Sequence, residues 1–147
     1  MKEFLVAIDG SEGSDAAIDE ALELAQDIGV HLTFAFVRRP PSSLLGYPYY
    51  ERLLSSELAT ARATLDAAMT RAVDAGIETE CEVLEGDPVD EILSVADNRG
   101  VDLIVMGSRG RGAFAGALLG SVSSGVVQHA SVPVLVAKER SAKLVAA

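Results

Sequence analysis

A chain of 147 residues has the length of one ordinary domain, and residues 1–147 are predicted to fold as one. Hydrophobic residues make up 49% and charged residues 23%, a balance that excludes a disordered chain, and no apolar run reaches the ~20 residues of a transmembrane helix. A net charge of −10 excludes nucleic acid and an anionic membrane surface as main partners, because each requires a basic face. The segment Met1–Val6 carries neither a long apolar stretch nor a small-residue cleavage site, so a cytoplasmic location is expected. The single cysteine, Cys81, rules out an internal disulfide and is read as a small core side chain.

The run Phe4-Leu5-Val6-Ala7-Ile8 is apolar throughout and predicts a strand covered on both faces. Ile18, Ala21, Leu22, Ala25 and Ile28 follow at helical spacing, with Gly29 as the stop. A second strand spans about His31 to Val37. The stretch from Arg39 to Tyr50 holds three prolines and is read as neither helix nor central strand. Leu54, Leu58, Ala61, Leu65, Ala68 and Ala72 then predict a long amphipathic helix closed by Gly76.

Glu78, Glu80 and Glu82 alternate with Thr79, Cys81 and Val83, the pattern of an exposed edge strand protected by charge. Asp87 and Pro88 open the next helix as N-cap and first helical residue, and Gly100 ends it. Val101–Met106 is a fourth strand, central by its apolarity. A last helix covers Ser121 to Ala130, and Pro133–Ala137 a fifth strand with its proline at the tolerated first position. The alternation predicts right-handed βαβ units: an α/β three-layer sandwich around a parallel sheet. Ligands of such sheets bind beyond the carboxyl ends of the strands, where strand order reverses.

The carboxyl ends of the first and fourth strands carry Asp9-Gly10-Ser11 and a glycine-rich segment running from Gly107 through Gly110, Gly112 and Gly116 to Gly120. Glycines let backbone N–H groups approach a phosphate closely. Ser121 is predicted to cap the last helix, presenting the amides of Val122 and Ser123 to an anion, with Arg109 and Arg111 adding charged hydrogen bonds. A P-loop requires a lysine, which the segment lacks, and a dinucleotide fingerprint requires a different glycine spacing after the first strand.

The spacing Gly107-x2-Gly110-x9-Gly120-Ser121 resembles the ATP-binding signature of the universal stress protein family. The similarity extends to Val6–Ser11 at the front and Gln128–Val136 at the back. The resemblance implies a five-stranded sheet in the order 3-2-1-4-5. It implies ATP, with Mg2+ or Mn2+, as ligand: the triphosphate on Gly107, Arg109, Gly110, Gly120, Ser121, Val122 and Ser123, and the nucleoside against Ala7, Ile8, Asp9, Val37 and Met106. Asp9 at a strand's carboxyl end is the expected cation or ribose ligand, against the plainer role of turn former. The segment Arg38–Tyr50 matches no pattern of the family.

The expected function is that of an ATP-binding regulatory or stress-response protein with an unidentified protein partner. The alternative is an enzyme, a slow ATPase or a protein that phosphorylates itself on Ser121, Ser123 or Ser124. A phospho-receiver domain is set aside, because Leu84-Glu85-Gly86 occupies the place of its aspartate. His129 is read as bonding carbonyls in the last turn of its helix rather than as a base, and Tyr47, Tyr49 and Tyr50 as a lid, an interface or packing on the sheet edge. The apolar fifth strand, Val132–Ala137, falls at a sheet edge in this topology and predicts a homodimer formed through it.

Overall fold

The computed structural model describes residues 2–108 and 119–139. Five strands, β1 (Glu3–Ile8), β2 (His31–Arg38), β3 (Thr79–Glu85), β4 (Leu103–Gly107) and β5 (Val134–Ala137), form one parallel sheet in the order β3-β2-β1-β4-β5. Four helices cover it: α1 (Glu12–Ile28), α2 (Tyr47–Asp74), α3 (Pro88–Arg99) and α4 (Ser121–His129). The predicted α/β architecture and strand order are those observed.

Alternation along each strand creates two cores. Phe4, Val6 and Ile8 of β1 and Leu32, Phe34 and Phe36 of β2 face α1 and α2, where Ile18, Ala21, Leu65 and Ala68 meet them. Leu5, Ala35, Ile104 and Met106 face α3 and α4, packing with Ile92, Ala96 and Val126. The apolar run of β1 is thus explained by a strand with a dry layer on each side. Asp87 caps α3 by accepting the Asp90 N–H at 3.1 Å, and His129 Nδ1 lies 2.9 Å from the Gly125 carbonyl oxygen, both as expected.

Three expectations need correction. The 39–50 connection is not wholly irregular: Ser43–Leu45 forms one 3-10 turn, and α2 already begins at Tyr47 with Pro48 in its first turn. Proline is harmless there, since its missing N–H would have had no intrahelical acceptor. Cys81 is exposed, because β3 lies at the sheet edge and Leu84 is its one buried residue. Tyr47 and Tyr49 do not pack on the sheet edge but are exposed, the Arg52 guanidinium lying 5.8 Å from the Tyr49 ring centre, while Tyr50 is half-buried.

The charged face of β3 has a specific use. Arg99 of α3 reaches Glu82 (2.8 Å), Glu3 (3.0 Å) and Glu80 (3.2 Å), binding the edge strand to β1. Hydrogen bonds from Arg99, and then from His31, hold the Glu80 carboxyl below its ordinary value. The Arg99 guanidinium is pushed up from its own, chiefly by Glu82. Among the described residues no helix is long and apolar enough to cross a membrane.

Candidate functional site

The carboxyl ends of β1 and β4 meet at a crest flanked by the first turns of α1 and α4. After β1 the chain turns through Gly10 at φ +84°, a conformation that favours glycine. Asp9 Oδ1 accepts the Ser11 N–H at 2.9 Å and the Ser14 hydroxyl at 2.8 Å. The Ser14 Oγ in turn accepts the Asp9 N–H at 2.6 Å, and Ser11 caps α1 by accepting the Ser14 N–H at 3.2 Å. One oxygen of Asp9 therefore acts as the turn former, on the edge of the crest.

Gly107 ends β4 against the first turn of α1. A β-carbon on it would lie 2.5 Å from the Gly13 carbonyl oxygen and 2.6 Å from the carbonyl carbon, so the position tolerates no side chain. Its glycine serves the approach of helix to strand, whatever its N–H does.

Ser108 joins the two ends of the glycine-rich segment. Its N–H donates to the Ala137 carbonyl at 2.9 Å, next to the β4–β5 ladder. Its own carbonyl accepts two donors from the start of α4, the Gly120 N–H at 2.7 Å and the Ser123 hydroxyl at 2.8 Å. The Ser123 hydroxyl also lies 3.2 Å from the Gly120 carbonyl, and Ser123 is buried.

This geometry corrects the expected cap. Gly120, not Ser121, is the N-cap of α4 and makes no side-chain cap bond, while its carbonyl accepts the Ser124 N–H at 2.9 Å. Ser121 is the first helical residue and is exposed. The first amides of a helix have no acceptor within it, so those of Ser121 and Val122 open the helix at the crest.

Ala7, Val37 and Met106 lie on one face of three neighbouring strands, at the layer shared with α3 and α4. Ile8 points its side chain into the opposite core, leaving only its backbone toward the crest. Arg109 and Gly110, with Arg111, Gly112 and Gly116, lie outside the described residues.

Sequence reading missed Gly13, Ser14 and Ser108. A glycine in the first turn of an otherwise regular helix was the available signal for Gly13, while the serines carried none. It also missed Arg38, directly after Val37. Its buried guanidinium pairs with Glu57 of α2 at 2.8 Å and Glu85 of β3 at 3.2 Å, tying the long helix to the strand ends. A separate groove along α1, lined by Glu12, Asp15, Asp19, Glu20, Glu23, Lys138 and Glu139, is strongly acidic and unsuited to phosphate.

Residues 1–138 match the model of the universal stress protein family. The universal stress protein YxiE of Bacillus subtilis is 36% identical, the match covering 94% of this chain and 99% of the relative. The solved structure of MJ0577, a universal stress protein of Methanocaldococcus jannaschii, superposes with a TM-score of 0.84 at 25% identity, covering 96% of this chain and 98% of that one. A universal stress protein solved in complex with cAMP superposes with a TM-score of 0.72 at 30% identity, covering 95% and 98%.

Proposed function

The chain belongs to the universal stress protein family, and on that premise we propose that it binds ATP at the crest and acts as a nucleotide-dependent regulatory protein in a stress response. The observation that carries this reading is the bond from the Gly120 N–H to the Ser108 carbonyl, 2.7 Å long. It brings the end of β4 and the start of α4 together at one place, with the opening amides of α4 beside Gly107. Phosphate oxygens match such a helix N-terminus. The cAMP bound by the related structure supports an adenine nucleotide as the ligand class.

In this reading Gly107, Arg109, Gly110, Ser121 and Val122 receive the triphosphate, and Gly120, its N–H held by the Ser108 carbonyl, lets the phosphates approach the backbone closely. Ser123 supports these residues from beneath the crest, its hydroxyl turned to the Ser108 and Gly120 carbonyls rather than to the ligand. Ala7, Val37 and Met106 line the adenine or ribose side, with the Ile8 backbone between. Asp9 meets a ribose hydroxyl or a Mg2+ or Mn2+ ion carried by the phosphates, as oxygen donors suit these cations. Calorimetric titration of the purified protein with ATP and magnesium tests the proposal. Saturable one-to-one binding supports it, and no uptake at millimolar nucleotide overturns it.

Burial favours one form of the enzymatic alternative. Ser123 is buried and its hydroxyl donates to carbonyls, whereas Ser121 is exposed at the crest. Self-phosphorylation would fall on Ser121, or on the half-buried Ser124, rather than on Ser123, and incubation with γ-labelled ATP followed by peptide mapping reads it.

We further propose that the chain is one cytoplasmic domain and pairs with a second copy through β5. Val134, Leu135 and Val136 are only half-buried along this edge strand, which invites another strand alongside. A monomeric mass at micromolar concentration would contradict the pairing.

A further inference from the structure

Opposite the crest, at the amino ends of the strands, three metal-ligating side chains from three adjacent strands converge. Glu3 of β1 is the register partner of His31 of β2, and Thr33 of β2 is the partner of Glu80 of β3. One ligand atom from each of Glu3, His31 and Glu80 lies within 4.8 Å of the other two. His31 Nε2 and Glu80 Oε2 are 3.1 Å apart, close to the ~3.4 Å that separates two ligands of a tetrahedral zinc ion with bonds near 2.1 Å.

We propose that Glu3, His31 and Glu80 form a guarded site for a divalent transition metal of the Zn2+ class. One imidazole and two carboxylates are a donor set this metal accepts, with water completing the shell. The surroundings have the supporting groups such ligands use. The Thr33 hydroxyl donates to Glu3 Oε1 at 2.6 Å, and the exposed Glu78 carboxylate, 4.0 Å from His31 Nδ1 and so beyond hydrogen-bond distance, places a negative charge on the side of the ring that would not bind metal. His31 and Glu3 are half-buried, with side chains 17% and 21% exposed, which limits their freedom, while Glu80 is exposed.

The guard is Arg99. Its Nη1 lies 3.0 Å from Glu3 Oε1, 3.2 Å from Glu80 Oε2 and 3.3 Å from Thr33 Oγ1, so a cationic nitrogen already occupies the point where the carboxylates converge. Its Nε holds Glu82 at 2.8 Å. Metal entry displaces Nη1 while the Glu82 bond keeps Arg99 tethered. The binding step is an exchange: the metal takes the carboxylate oxygens and the Nε2 lone pair, and a proton on Nε2 moves to Nδ1 in the neutral ring or leaves to solvent from the imidazolium.

Titration of the full-length, nucleotide-free protein with Zn2+ against a chromophoric chelator tests the site, alongside Arg99→Gln, His31→Gln, His129→Gln and Cys81→Ser. Circular dichroism confirms that each variant is folded. The expected result is one equivalent bound by the parent chain, bound about tenfold or more tightly by Arg99→Gln because a competing charge is gone. Binding should be lost in His31→Gln and kept in His129→Gln and Cys81→Ser. Two results would overturn the proposal: no saturable binding even in Arg99→Gln, or undiminished binding in His31→Gln. Zinc carried by nucleotide phosphates does not enter, so the outcome is independent of the crest.

Discussion

Gly107 and Gly13 meet backbone to backbone, closely enough that a β-carbon on Gly107 would stand 2.5 Å from the Gly13 carbonyl oxygen. The obstacle is main chain within a helix, which cannot step aside as a flexible side chain can. Gly107→Ala is therefore expected to destabilise the ligand-free protein by about 1–3 kcal/mol, the usual cost of overpacking. Urea unfolding without nucleotide checks this. An unchanged midpoint would mean that the glycine serves only the ligand.

Ser121 and Ser123 are two residues apart and should behave oppositely. Ser123→Ala removes the hydroxyl that joins the Ser108 and Gly120 carbonyls, at an expected cost of about 1 kcal/mol in stability. Ser121→Ala removes an exposed side chain and should leave stability within about 0.5 kcal/mol while weakening ATP binding. Paired unfolding and calorimetric measurements on the two variants read this crossed pattern.

Arg38→Met keeps the aliphatic bulk and removes the guanidinium between Glu57 and Glu85. Both carboxylates are partly exposed and regain water, so the expected loss is about 2 kcal/mol, below that for a fully buried pair. A double-mutant cycle with Glu57→Gln should reveal coupling between the two positions, and strict additivity would contradict the pairing.

Glu80 gives the edge network a pH signature. Its folded-state pKa is lowered by Arg99 and His31, so the stabilisation is present above the unfolded value and is lost as pH falls through the folded one. With a chelator present, the urea midpoint should fall as the pH is lowered through and below the ordinary Glu value of 4.5, and fall less steeply in Glu80→Gln. Equal slopes for the two proteins would remove Glu80 from the acid response.

The fold is legible where a strand's surroundings are symmetric. β1 and β4 are apolar on both faces because each is covered on both faces, and Asp87-Pro88 marks the start of α3 by a local rule. What escapes the sequence depends on partners from elsewhere in the chain. Tyr47 starts α2 despite the proline density around it, because proline's effect depends on its position in the helix and not on its number. Cys81 is exposed because coverage of an edge strand is decided by helices distant in sequence. Gly120 takes the cap position from Ser121 because the Ser108 carbonyl captures its N–H. The glycine spacing announced the crest, and nothing near Ser108 announced its two-donor carbonyl.

The most direct measurement is the amide spectrum of uniformly 15N-labelled protein during titration with ATP and magnesium. Binding of the triphosphate at the crest predicts saturable shifts of the Gly107, Ser121 and Val122 resonances that level off near one equivalent. Shifts confined to other surfaces, or none at millimolar ATP, would contradict the crest as the nucleotide site.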